Sequence, residues 1–201
     1  PIASSIDINS AVQADSISVG YSKNADGEFE FISSLISELE QYFNISFRDE
    51  LAFFGPSGKA GELCEIPVHA PDAKTERVFL VGLGDQSATA LRSAGAAIGR
   101  KVRGKNTTLY STISQEKDHA ISITLGAWMW NMKSDQKDET PIIQIATQDK
   151  KTIEIASVIA KAVCRARDLV HTPANIKNPA WMAKQVEEFA KGTGLKVQIL
   201  S

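Results

Sequence analysis

Two glycine-bearing segments are the first places where chemistry would be sought in this sequence. Gly82-Leu83-Gly84 closes an apolar run, as the phosphate-binding turn of a dinucleotide fold does. Ser87 stands where that fingerprint needs its third glycine, and Asp85 would repel a pyrophosphate. Gly58-Lys59 has the form of the end of a phosphate loop. Phe53 replaces the first glycine of that loop, and Ala60 replaces the magnesium-binding hydroxyl. Both segments therefore read as backbone features: a tight strand-to-helix turn and a flexible surface loop. His69, His119 and His171 are scattered, none at metal-ligand spacing from a Cys, Asp or Glu. Each reads as structural. No Ser or Cys assembles with a nearby His and acid into a nucleophilic triad. Arg100, Lys101, Arg103 and Lys105 form a basic cluster. It falls at a predicted helix end, where cations complement the dipole.

Bulk properties narrow the partner classes. The net charge is −2 over 201 residues, which asks for neither nucleic acid nor an anionic membrane. Cys64 and Cys164 stand a hundred positions apart and read as thiols of a reduced compartment. Pro1 to Ser10 shows neither the basic nor the apolar region of a signal peptide. The most apolar run, Ile121 to Trp130, is far short of the roughly 20 residues of a spanning helix. The expectation is a cytoplasmic protein.

The elements that would hold these residues alternate between strand and helix, the pattern of an α/β layered domain. Ser16 to Tyr21 reads as a strand. Phe31 to Phe43 has the three- and four-residue steps of an amphipathic helix. Arg77 to Gly82 reads as a strand buried on both faces, as in a parallel sheet. Ser87 to Arg103 is a helix whose small residues allow close packing. Leu109 to Ile113 is a strand, His119 to Met132 a helix, and Ile142 to Ala146 a strand. One of Trp128 and Trp130 is expected in the core and the other on a partner surface. A long helix runs from about Thr152 to Val170 with Ile155, Val158, Ile159, Ala162, Val163, Ala166 and Leu169 as its packing stripe. Pro173 forbids its continuation. Asn178-Pro179 opens a further helix, which ends at Gly192 and Gly194. Leu195, Val197 and Ile199 alternate as a strand, so the chain reads as cut inside a second domain.

Three segments, in order, resemble the leucine aminopeptidase (cytosol aminopeptidase) family. Gly58 to Pro67, GKAGELCEIP, is similar to the family's GKAGE…LP stretch. Arg77 to Arg100, RVFLVGLGDQSATALRSAGAAIGR, resembles its strand, VGLG turn and LRxAGAA helix. Ala166 to Pro179, ARDLVHTPANIKNP, with the later GLKVQIL, resembles the junction that opens the catalytic domain. His171 stands where the family usually has Asn, and Asn178 where Thr or Ser is common. The third segment is the most specific; residues 1–50 match mainly by pattern.

The resemblance implies a fold, an activity and partners. It implies a layered, macro-domain-like α/β domain over residues 1–150, with a mainly parallel or mixed sheet between helices. A connecting helix over 151–171 follows, then the opening helix and strand of a catalytic domain over 172–201. It implies a two-metal leucyl aminopeptidase holding zinc or manganese, acting on peptide N-termini, assembled as a hexamer and docked on its own catalytic domain. The metal ligands and the NTDAEGR signature are absent from these 201 residues. No catalytic, metal or substrate residue is assigned here, and the chain alone is expected to be inactive. Arg167, Asp168, Pro173, Asn175 and Pro179 are the domain-junction motif. Two other readings stand beside this one. A free-standing macro-like domain would bind ADP-ribose or a related nucleotide. An interaction module would serve assembly or DNA, with the basic cluster as its support.

Overall fold

The computed structural model describes residues 2–4, 6–113, 117–132 and 139–200. They divide into two compact units, Pro1–Cys164 and Arg165–Ser201.

The first unit is built on a seven-stranded mixed sheet. Its strands are β1 (Ile2–Ser4), β2 (Ser16–Lys23), β3 (Phe29–Phe31), β4 (Leu63–Pro67), β5 (Arg77–Gly82), β6 (Thr108–Ser111) and β7 (Ile142–Ile145). The order is β1-β7-β6-β2-β5-β4, with β3 also paired to β2. Neighbours from β1 through β5 run parallel, while β3 and β4 are antiparallel to their partners. The helices are α1 (Ile8–Val12), α2 (Ile36–Phe43), α3 (Phe47–Phe54), α4 (Ala88–Val102), α5 (Lys117–Ala127), α6 (Lys150–His171) and α7 (Pro179–Ala190).

Side-chain alternation along β5 creates two cores. Val78 and Leu80 join the core under α1, α2 and α3, while Phe79 and Val81 join the one under α4, α5 and α6. The sheet is thus covered on both faces, which explains the apolar run at β5. In β2 the alternation is large against small. Ile17, Val19 and Tyr21 fill one core, and Ser16, Ser18 and Ser22 are buried on the other face. α4 and α5 approach closely through small residues. A Cβ on Gly126 would lie 2.6 Å from the Ala96 carbonyl oxygen. The sheet edge at β4 ends on Pro67 and carries Glu65, ion-paired to Arg77 and to Lys101 (3.0 Å), features that discourage further strand pairing.

The structure corrects several expectations. Phe31 belongs to strand β3, and the helix begins only at Ile36. Phe29 and Phe31 alternate with Glu28 and Glu30, and the Asn24 turn folds them back on β2. Helix α3 was not expected at all. Its signals were present: Ser46 accepts from the Asp49 amide, Asp49 and Glu50 fill the first turn, and Gly55 closes the helix in the left-handed region. β1 and α1 were also not foreseen. α5 stops at Ala127, one residue after the weak helix former Gly126. Trp128 and Trp130 lie beyond it, and both are half-buried, so neither is a core residue.

The long helix forms without interruption, but on another face. Ile153, Ala156 and Ala160 are its buried residues. Of the expected packing stripe, Ile155, Val158 and Ile159 are 43%, 67% and 37% exposed. The helix carries two apolar sides, and the smaller alanines take the side that meets the sheet's core.

In the second unit, α7 starts as expected, with the Asn178 side chain accepting from the Trp181 amide (2.8 Å) and Pro179 in the first turn. The expected strand Leu195 to Ile199 does not form among the described residues. No neighbouring strand supplies its ladder bonds, and Leu195 and Ile199 are exposed.

Candidate functional site

The two glycine segments meet. The Gly58–Gly61 loop lies over the Gly82–Gly84 turn at the C-terminal end of β5. Gly61 N–H donates to the Gly82 carbonyl (2.8 Å), Gly82 N–H to the Glu62 carbonyl (2.7 Å) and Gly84 N–H to the Gly58 carbonyl (3.1 Å). A Cβ on Gly82 would collide with the Lys59 carbonyl. The turn amides that would cradle a phosphate are therefore spent on this chain's own loop. Asp85 turns back to accept from the Ser87 amide (3.0 Å), and Ser87 caps α4. The nucleotide reading of Gly82-Leu83-Gly84 loses its space.

The loop is not flexible in the sense expected from its glycines. The Glu62 carboxylate accepts from the amides of Ser57 (3.1 Å), Gly58 (2.9 Å) and Lys59 (3.2 Å), and from the Ser57 hydroxyl (2.8 Å). Burial raises its pKa, and these donors together outweigh burial and hold the carboxyl below its ordinary value. The converging amides that resembled a phosphate loop are filled by an internal carboxylate.

A second polar centre lies between α5 and the sheet. His119 is fully buried; its Nδ1–H donates to the Leu91 carbonyl (3.2 Å) and its Nε2 accepts from Ser111 Oγ (3.2 Å). Burial depresses its pKa to about 4, and the Leu91 bond opposes that only in part. A neutral imidazole sealed from solvent joins helix to sheet and meets no substrate. The pair was invisible in sequence as a contact, although Ser111 and His119 are only eight positions apart.

The junction residues act as punctuation. Asp168 O accepts from both the amide (3.0 Å) and the hydroxyl (2.8 Å) of Thr172, and His171 Nδ1–H donates to Arg167 O (2.9 Å). Pro173 O accepts from the amides of Ile176 and Lys177, making the turn that contains Asn175. Pro179 opens α7. These five residues shape the break between two helices; the structure does not gather them around a cavity. In the basic cluster, Lys101 is engaged by Glu65. Neither Cys64, which is buried, nor Cys164, which is half-buried, is in a disulfide. Among the described residues, no group of three His, Cys, Asp or Glu side chains is placed to hold a metal ion. No helix of those residues is long and apolar enough to cross a membrane.

Residues 51–131, which include both interlocked segments, match the family model for the cytosol aminopeptidase family, N-terminal domain. The chain carries the N-terminal domain of the cytosol aminopeptidase family. A probable cytosol aminopeptidase of Picosynechococcus is 34% identical over 161 residues, covering 71% of this chain and 32% of that protein. One of Rhodococcus opacus is 28% identical over 207 residues, covering 94% of this chain and 40% of its own length. This chain therefore spans a third to two-fifths of these cytosol aminopeptidases. A tomato leucine aminopeptidase mutant superposes with a TM-score of 0.69 at 20% identity, covering 94% of this chain and 41% of that one. The bottromycin maturation enzyme BotP in complex with Mn gives 0.62 at 22% identity, covering 91% and 37%. At these identities the two structures speak to the fold, a mixed α/β sheet flanked by helices.

Proposed function

We propose that this chain is the N-terminal regulatory or assembly portion of a cytoplasmic two-metal leucyl aminopeptidase that removes N-terminal amino acids from peptides. The catalytic site lies in polypeptide beyond Ser201. The observation that carries this reading is the family match across residues 51–131. The names of the longer relatives and the manganese in one structural neighbour support it. The residues described here do not fit a metal pair, since no cluster of ligands is assembled among them. No catalytic step is therefore assigned to them. In the whole enzyme, zinc or manganese ions would activate a water as nucleophile. The part left to this domain is to pack against the catalytic domain and against further copies in a hexamer. Residues 1–150 would form the macro-like domain, 151–171 the connector and 172–201 the opening of the catalytic domain, with Arg167, Asp168, Pro173, Asn175 and Pro179 at the joint.

The nucleotide-binding alternative is not favoured, because the loop from Gly58 to Gly61 occupies the Gly82–Gly84 turn. A DNA role has only the basic cluster behind it.

The test uses the coding sequence past Ser201. The longer polypeptide, loaded with manganese or zinc, is expected to hydrolyse leucine-p-nitroanilide, and the 201-residue chain is not. Metal-dependent turnover by the purified 201-residue chain would overturn the proposal, as would a coding sequence that stops at Ser201.

A further inference from the structure

We propose that Asp26-Gly27, in the turn between β2 and β3, is a site of spontaneous isoaspartate formation, and that this modification loosens β3. Asp26 is the single aspartate in the sequence that is followed by glycine, and no asparagine is. Ala25, Asp26, Gly27 and Glu28 are all exposed. The Asp26 carboxylate makes no hydrogen bond or ion pair among the described residues. Glycine has no Cβ to shield its own amide nitrogen. A Cβ built on Gly27 would meet nothing within 4 Å, so no neighbour crowds the bond where a ring must close.

The chemistry needs water alone. The Gly27 nitrogen attacks Cγ of Asp26, forming an N–Cγ bond. The Cγ–OH bond breaks, and the hydroxyl leaves with the amide proton as water. Water then reopens the five-membered imide. Cleavage of the N–Cγ bond restores aspartate. Cleavage at the former main-chain carbonyl leaves the chain running through Cβ and Cγ, with one added backbone carbon and a free α-carboxylate. Nothing is oxidised or reduced, and the water lost is regained.

The fold separates Asp26 from the other aspartates. Asp15 precedes the small residue Ser16, but its carboxylate accepts from the Thr108 amide (2.6 Å) and pairs with Lys74 (2.9 Å). Ser16 itself is buried in β2 between Arg77 and Leu109. The carboxylates of Asp7, Asp85 and Asp149 accept from the amides of Ser10, Ser87 and Thr152. At Asp26 the restraint is on the backbone instead. Asn24 Oδ1 accepts from the Asp26 (3.0 Å) and Glu28 (2.9 Å) amides, and Asn24 O from the Gly27 amide (3.0 Å). These bonds must open for the attack, and they lie at the surface, where local opening costs least.

The consequence falls on β3. It has three residues, and Phe29, Glu30 and Phe31 pair with Lys23, Ser22 and Tyr21 directly after the turn. The Phe29 ring packs edge-on to Tyr21 at 5.8 Å and lies under Lys23 Nζ at 4.8 Å. An extra backbone carbon at residue 26 lengthens the turn that sets this register.

The test is prolonged incubation of the 201-residue chain near neutral pH, folded and unfolded in urea. Isoaspartate is read by a methyltransferase specific for isoaspartyl carboxylates, with S-adenosylmethionine as donor, and is located by peptide mapping. In the folded chain residue 26 should exceed Asp15 by about tenfold or more, and in urea that gap should shrink. Asp26→Glu, whose ring would be six-membered, should remove the methyl-accepting signal. In the aged chain the amides of Phe29 to Phe31 should exchange faster, with β5 unchanged. The proposal is overturned if the folded chain holds no isoaspartate at residue 26 after an interval in which the urea-unfolded chain has converted. Equal modification at Asp15, or an undiminished signal in Asp26→Glu, overturns the assignment to this turn. Isoaspartate at residue 26 with unchanged exchange in β3 overturns the link to the strand.

Discussion

The carbonyl oxygen of Lys59 lies where a Cβ on residue 82 would stand, and it fixes that residue as Gly82. The φ of Gly82 is not in the left-handed region, so the constraint is contact and not conformation. Gly82→Ala should force the loop off the turn and cost about 1–3 kcal/mol, the usual penalty for overpacking. Urea unfolding measures it. Phe53→Ala, at a side chain 84% exposed, is the comparison expected to change stability by about 0.5 kcal/mol or less. Equal stability of Gly82→Ala and the parent would show that the loop moves aside without cost.

Glu62 makes the same loop depend on pH. Its folded pKa is held below the ordinary glutamate value of 4.5. Its contribution is therefore present above that value and is lost as pH falls through the lower folded one. Glu62→Ala leaves the Ser57, Gly58 and Lys59 amides without their acceptor and should cost about 1–2 kcal/mol. Hydrogen exchange at those three amides should accelerate in the variant at neutral pH. Unchanged exchange would mean that water replaces the carboxylate without loss.

His119 gives a different window. Its pKa falls from 6.5 to about 4 on folding. Between these values the unfolded chain binds a proton that the folded chain refuses, so stability is complete above 6.5 and declines as pH drops toward 4. The full span corresponds to about 3 kcal/mol. His119→Gln removes the titrating group and should flatten the stability curve between pH 6.5 and 4.5, above the main Glu62 transition. Parallel curves for variant and parent across that interval would refute the assignment.

What the sequence revealed of the fold depended on whether local signals agreed with tertiary packing. β5 was readable because both its faces are buried, and α4 and α7 because Ser87 and Asn178 cap them. The apolar spacing predicts too long an α2, because Phe31 satisfies a helical step as well as the strand alternation it adopts. On α6 the bulkier stripe predicts one packing face, while the sheet buries Ile153, Ala156 and Ala160 on another. The family segments were visible as strings. Their interlocking was not, because sequence does not tell that the Gly58–Gly61 loop returns to the end of β5. The Ser111–His119 pair was hidden for the same reason: a lone histidine carries no mark of the carbonyl it will find.

The end of the chain provides the last prediction. Leu195, Val197 and Ile199 alternate as a strand should, yet they are 72%, 38% and 52% exposed and join no sheet. A strand is stable only when neighbours take its N–H and C=O groups and cover one face, and a single ribbon in water has neither. α7 just before it has no buried residue and is 12 residues long, a length at which an isolated helix is marginal. Its Asn178 cap is therefore a large share of what holds it. Asn178→Ala should cost α7 about 1 kcal/mol and reduce its helicity in the 201-residue chain, without altering exchange in β5. In the parent chain, amides from Leu195 to Leu200 should exchange orders of magnitude faster than those of Arg77 to Gly82. The measurement is hydrogen exchange with light scattering on the same sample. A monomer whose residues 195–200 exchange as slowly as β5 would mean that the strand finds a partner within this chain, contrary to the structure.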